Sequence, residues 1–219
     1  MIKCVIFDVD GTMTNTMPLF ELSYLRAYNE VADTPITLPE LRKSVGLSEE
    51  GMAKALIPEK AQEVLAKYYT YYEELLKKTP GVAYFGIKKL INYLNDKGIK
   101  TAVVSGKGKP ALDITFRVLG FEGLFKNVFA GLEETPDKAE RIIKTMEILE
   151  VKPEETIYIG DIVSDITASQ KANVRIISAG WDLKADRKEL LKHNPDYFAY
   201  TVEDCYKILK GEIENVRII

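Results

Sequence analysis

Ile6-Phe7-Asp8-Val9-Asp10-Gly11-Thr12-Met13-Thr14-Asn15 decides how this chain is read. The β-branched, apolar run Ile2–Phe7 that leads into it predicts a buried strand. That strand ends on two carboxylates two positions apart, followed at once by a glycine. In an open α/β sheet, a carboxylate at the carboxyl end of a strand faces the crevice where such sheets bind ligands. Two carboxylates held together repel, and need a cation or a shared proton to coexist. Asp-Gly is also an ordinary turn pair, so this stretch alone leaves a site and a plain turn level. The rest of the chain tips the balance.

The chain has 219 residues, 46% hydrophobic and 29% charged, enough for one large domain or for a core carrying a smaller insertion. Its net charge of −3 argues against a general nucleic-acid binder, whose footprint is basic. No uninterrupted apolar stretch approaches the ~20 residues that span a bilayer. The N-terminus runs straight into the first strand, without the basic flank and apolar core of a signal peptide. Cys4 in that strand and the distant Cys205 read as buried thiols rather than as a disulfide or a metal site. These features predict a cytoplasmic protein that engages neither membrane nor nucleic acid.

From Pro18 to Lys78 the pattern is helical. Ala61, Val64, Leu65, Tyr68, Tyr72, Leu75 and Leu76 recur at three- and four-residue spacing, one apolar stripe in which the tyrosines read as packing. Pro35, Pro39 and Pro58 fall where helices should break. After Thr79-Pro80-Gly81 the spacing predicts helices over 84–96, 110–119, 136–149 and 163–172. They alternate with strands over 99–104, 128–129, 156–159 and 174–178, ahead of an extended piece at 197–199 and a helix to Leu209. Short apolar strands alternating with helices imply a parallel sheet covered on both faces. The expected fold is therefore α/β: a Rossmann-like parallel sheet with helices on both faces, plus a small all-helical insertion after the first strand. The expected boundaries are a core of 1–16 and 80–219 and an insertion of 17–79.

Three more polar clusters sit at strand ends. Val103-Val104-Ser105-Gly106 brings a hydroxyl and the following amides to a helix start, where an anion can be held; a simple Ser cap is the plain alternative. Thr135-Pro136-Asp137-Lys138 reads as a helix start with Thr135 as N-cap and Pro136 in the first turn. Lys138 then takes the third helical position, where Glu or Gln is usual and where a cation opposes the helix dipole. Ile159-Gly160-Asp161-Ile162-Val163-Ser164-Asp165 ends another strand with a carboxylate at a helix start and a second in its first turn. Capping and dipole complementation explain either aspartate alone, but not clusters at three other strand ends as well.

The four clusters in this order resemble the haloacid dehalogenase superfamily, specifically its phosphatases, over essentially the whole chain. The stretches Pro80-Gly81-Val82 through Val104-Ser105 and Ser178-Ala179-Gly180-Trp181 look like its phosphoglycolate phosphatase-like branch, whose cap the helical insertion resembles. The chain departs from close relatives at Gly106, where they often carry Asn, and at Ala139-Glu140, where Pro-x-Pro is common. Within the resemblance Lys138 is the phosphate-gripping lysine, with Lys126 as the rival.

The resemblance implies an Mg²⁺-dependent phosphatase acting on a small phosphorylated metabolite, as a monomer or homodimer. Asp8 would be the nucleophile and Asp10 the general acid and then base. Asp8, Asp161 and the Asp10 backbone carbonyl would hold Mg²⁺. Ser105, Gly106 and Lys138 would bind the phosphoryl group, and Asp165 would orient Lys138 or a metal-bound water. Phosphoglycolate, another small monoester and pyrophosphate all remain open as substrates. A dehalogenase would lack the second aspartate, so Asp10 argues against it, and a non-catalytic member of the fold would carry a broken cluster. Sugar phosphomutases of the branch carry a histidine where Phe20 stands and an arginine in the cap turn where Glu49 stands. Neither residue here can hold a second phosphate. Arg42 and Lys43, before the turn Ser44-Val45-Gly46, either meet a second anion or are solvated, and His193 reads as surface.

Overall fold

The computed structural model describes residues 1–44 and 46–214. Six parallel strands form one sheet in the order β3-β2-β1-β4-β5-β6. They are β1 Cys4–Phe7, β2 Lys100–Val104, β3 Asn127–Phe129, β4 Thr156–Gly160, β5 Arg175–Ala179 and β6 Tyr197–Ala199. Alternation along β1 sends Val5 and Phe7 into one core layer and Cys4 and Ile6 into the other. A strand buried on both faces must be apolar at every position, and β1 is. Cys4 and Cys205 are buried free thiols, as expected.

Four helices fill the segment between β1 and the rest of the sheet: α1 Met17–Val31, α2 Leu38–Arg42, α3 Glu49–Leu56 and α4 Ala61–Lys78. Leu19, Phe20, Tyr24 and Tyr28 of α1 pack on Val64, Tyr68, Tyr72 and Leu76 of α4, the stripe read from the sequence. Ala111 and Ile114 of α6 (Lys109–Leu119) join that cluster, and Tyr72 Oη lies 2.8 Å from Thr115 Oγ1. The remaining helices, α5 Ile87–Asp96, α7 Ala139–Ile148, α8 Val163–Lys171, α9 Arg187–Lys192 and α10 Val202–Glu214, belong to the sheet's side of the molecule. Among the described residues no helix is long and apolar enough to cross a membrane.

Local detail differs from the sequence reading in three places. Helix α5 starts at Ile87, not Tyr84, because residues 82–84 pair with the loop after β1: Asn15 N–H donates to the Val82 carbonyl and Tyr84 N–H to Met13. Helix α7 starts at Ala139, so Lys138 takes the N-cap position and Thr135 lies outside the helix. The first helical N–H is met by Asp137 Oδ1 at 2.9 Å. Helix α9 was not anticipated, since one turn and a half of mixed Lys, Glu and Leu carries too little periodicity to register.

The chain runs outward from β1 through β2 to β3, then crosses back to lay β4 on the other side of β1. The carboxyl end of β1 is therefore the point where strand order reverses, the ligand crevice of such sheets.

Candidate active site

Asp8 follows β1, Ser105 follows β2 and Asp161 follows β4, so three of the four clusters converge on that reversal point. The fourth arrives on the loop after β3, whose Lys138 side chain is buried. Lys138 Nζ lies 2.9 Å from Asp8 Oδ2 and 2.7 Å from Asp165 Oδ1. The rival Lys126 is exposed, which removes it from the site.

The loop between Asp8 and Asn15 is built by its own backbone. Val9 carbonyl accepts from the Met13 and Thr14 N–H groups, and Gly11 N–H donates to the Thr14 carbonyl. Gly11 has φ +77°, and a Cβ there would overlap the Asp161 carboxylate. A left-handed backbone and that close approach both demand glycine. Trp181 Nε1 donates to the Thr12 carbonyl at 3.0 Å, bracing the loop from the end of β5.

Asp165 is fully committed. Its Oδ1 accepts from Lys138 and from Tyr158 Oη at 3.2 Å, and its Oδ2 accepts from the Asp161 and Ile162 N–H groups at 3.1 and 3.2 Å. It orients Lys138 directly and shapes the Asp161 turn. Asp161 Oδ1 accepts from Thr12 Oγ1 at 3.0 Å, while Asp8 Oδ1 is buried without a hydrogen-bond partner. Carboxylate oxygens of Asp8, Asp161 and Asp165 lie within 4.8 Å of one another.

Burial pushes the Asp8 carboxyl up to about 6, with Lys138 opposing the rise and Asp165 adding to it. Asp161 is driven well above the usual carboxylate range by burial and then by Asp8 and Asp165. Burial works against charge on Lys138, but Asp165 and Asp8 outweigh it and hold the ammonium well above its ordinary range. Three crowded carboxylates and one lysine leave an excess of negative charge, and an orphaned carboxylate oxygen faces that crowd. Such a site calls for a hard cation bound through oxygen.

Lys138→Met should accordingly destabilise the protein in the presence of chelator by about 3–5 kcal/mol, the range for breaking a buried pair by removing one partner. Thermal unfolding measures this as a drop of roughly 10 °C or more. A drop within about 1 kcal/mol would mean that Asp8 and Asp165 do not depend on Lys138 for neutralisation.

Ser105 Oγ accepts from Lys107 N–H at 3.2 Å, and its carbonyl accepts from Arg141 Nη1 at 2.6 Å. Ser105, Gly106 and Lys138 line a cavity of about 220 Å³ together with Asp8, Asp10 and Asp161. Phe20 and Glu49 line it too, so the insertion does reach the site. Arg42 is exposed and doubly bonded to Glu21 at 2.6 and 2.9 Å, and this pair lines an adjoining cavity of about 440 Å³ that reaches Gly11 and Asp161; Lys43 is exposed and His193 partly so. Val45, in the anticipated cap turn, lies outside the described residues.

One site residue escaped the sequence reading. Lys107 is buried, with Nζ 3.2 Å from Asp10 Oδ1 and 3.7 Å from Glu49 Oε1. Asp10 Oδ1 also accepts from Thr16 Oγ1. The available signal was a lysine inside the turn after β2, directly before the Gly108-Lys109-Pro110 helix start. A lysine beside glycines in a loop passes for a solvated charge until a partner from the insertion appears.

A family model described as haloacid dehalogenase-like hydrolase matches residues 5–179. The chain belongs to that family. Pyrophosphatase PpaX of Anoxybacillus flavithermus is 26% identical to this hydrolase over 95% of its chain and 97% of the relative. A predicted phosphoglycolate phosphatase from Haemophilus somnus superposes with a TM-score of 0.77 at 20% identity, covering 95% of this chain and 98% of that one. CbbY from Rhodobacter sphaeroides, solved in complex with phosphate, gives 0.77 at 19% identity, covering 92% and 95%. This hydrolase has a parallel-sheet core and a helical insertion after β1.

Proposed function

We propose that this hydrolase is a phosphatase that cleaves a small phosphate monoester through an aspartyl-phosphate on Asp8, with Mg²⁺ as cofactor. The observation that carries the reading is Asp8 itself: buried at the switch point, held by Lys138 on one oxygen and unpartnered on the other. Asp8 and Asp161 side chains and the Asp10 backbone carbonyl would hold Mg²⁺, with Asp165 behind them. Bound there, the cation would neutralise charge on the phosphoryl oxygens and align phosphorus with Asp8.

An Asp8 carboxylate oxygen attacks phosphorus, and the ester oxygen leaves with a proton from Asp10. Asp10, now ionised, takes a proton from water, whose oxygen attacks the same phosphorus and releases inorganic phosphate and free Asp8. A carboxylate nucleophile thus divides one hard displacement into two easier ones. Ser105, the Gly106 amide region and Lys138 grip the equatorial oxygens, where transition-state charge is spread. The helices of residues 17–79 act as a cap, restricting the site to one attacking water. Two free buried thiols fit a cytoplasmic enzyme.

Purified protein should release phosphate from p-nitrophenyl phosphate with Mg²⁺ and stop in excess chelator; full activity in chelator would remove the metal from the reading. Calorimetric titration checks the electrostatics separately. The Asp8 and Asp161 carboxyls, both raised by burial, must lose their protons to receive the cation, so Mg²⁺ affinity should weaken as pH falls through the raised range that includes about 6 for Asp8. The slope should be about tenfold per pH unit for each linked proton. Affinity that holds constant down to the ordinary carboxylate range would contradict the raised Asp8.

A further inference from the structure

The cavity of about 220 Å³ is lined by four carboxylates, Asp8, Asp10, Glu49 and Asp161, but by only two lysines. Lys138 serves the side where the phosphoryl group is transferred, through its contacts to Asp8 and Asp165. Lys107 is the other cation lining this cavity among the described residues, and it stands beside Asp10, on the side where the ester oxygen leaves. It is already spoken for: Asp10 Oδ1 stands 3.2 Å away and Glu49 Oε1 3.7 Å.

Glu49 is not a side chain that happens to point inward. It opens α3, is 3% exposed, and accepts from Gly108 N–H at 2.5 Å and from Tyr68 Oη at 2.9 Å. Gly108 is the glycine that makes this approach possible, since a Cβ there would sit 2.7 Å from Glu49 Oε2. The carboxylate is thus locked by groups from α4, from the loop after β2 and from Lys107. Displacing it would leave a buried charge unpaired, among the most expensive changes a site can undergo. With Asp10 carrying the proton that it gives to the ester oxygen, the Glu49 carboxylate cancels Lys107, and this side offers a leaving group no net positive charge. The other walls here are apolar, from Met17, Phe20, Leu47 and Met52.

We propose that Glu49, acting through its ion pair with Lys107, is a specificity-determining residue that restricts this enzyme to small phosphate esters with an uncharged or cationic leaving group. The inference rests on the phosphatase reading above and narrows it. A leaving group bearing a carboxylate or a second phosphate must share Lys107 with the Glu49 carboxylate already in place. An alcohol can instead lie against the apolar wall, and an ammonium can meet Glu49 directly. Phosphoglycolate and pyrophosphate both belong to the disfavoured set.

Three substrates of near-equal size isolate charge from shape: 2-hydroxyethyl phosphate, phosphoethanolamine and 2-phosphoglycolate, with pyrophosphate as a fourth. Wild-type kcat/KM should be higher for the neutral and cationic esters than for the two anionic substrates by about tenfold or more, as a like charge a few ångströms away implies. Glu49→Gln should shrink that ratio by about tenfold, because it removes the charge and keeps the shape. Glu63→Gln, an exposed carboxylate of α4 that does not line the cavity, should leave the ratio within about twofold, the field of a screened charge being weak. A wild-type enzyme that prefers phosphoglycolate or pyrophosphate overturns the proposal without any variant. So does an unchanged ratio in Glu49→Gln, or an equal shift in Glu63→Gln. An active enzyme with the wrong order sinks this inference alone, whereas no hydrolysis of any ester, p-nitrophenyl phosphate included, sinks the phosphatase reading beneath it.

Discussion

Asp8→Asn reduces phosphate release by at least about four orders of magnitude, on aryl and alkyl esters alike, since removing the nucleophile of a covalent mechanism takes away the whole pathway. The amide keeps the shape of the side chain but cannot attack phosphorus. It also gives up one of the two charges on Lys138 Nζ, leaving the 2.7 Å pair with Asp165. The fold should therefore survive, and Mg²⁺ affinity should fall, since one anionic oxygen is gone from the cluster formed with Asp161 and Asp165. Phosphate release and calorimetry on the same preparation separate the two effects. Retention of more than a few per cent of turnover would remove Asp8 from the role of nucleophile.

Asp10→Asn slows alkyl phosphate hydrolysis by about 10²–10⁴, the usual worth of a positioned proton transfer. Its side chain is placed for that task by Thr16 Oγ1 and by Lys107 Nζ at 3.2 Å, and the amide can keep the Thr16 contact. Because the implied metal contact of Asp10 is through its backbone, Mg²⁺ binding should be nearly unchanged. Esters with a good leaving group need little protonation in the first step, so p-nitrophenyl phosphate should lose less than propyl phosphate. Equal losses on both esters, measured as kcat/KM, would assign the proton to another group.

The order of elements was legible because it rests on short-range rules. An apolar strand ending in a polar cluster, repeated after β1, β2 and β4, is written in consecutive residues. The stripe of α4 is as local, since Val64, Tyr68, Tyr72 and Leu76 meet α1 through three- and four-residue spacing. Helix starts were less legible. Tyr84 and Pro136 look like helix openings by composition, yet residues 82–84 are taken by the loop after β1. Residues 135–137 stay outside α7, and Lys138 at its N-cap reaches Asp8 and Asp165. In both places a contact made far along the chain outweighs a local preference.

The sequence by itself determined the sheet and the place of the helical segment after β1, and it set Asp8, Asp10, Ser105 and Asp161 just past strand ends, which share one edge of a parallel sheet. Lys138, at the start of α7, and Asp165, inside α8, entered the candidate set through the family resemblance. The sequence could not determine which charges pair. Lys107 and Glu49 lie 58 positions apart, and nothing in the residues around either marks the other as its partner. Only packing of α3 against the turn after β2 brings them within 3.7 Å and buries both. Ion pairs across such a distance depend on where two surfaces meet, which is a property of the folded chain.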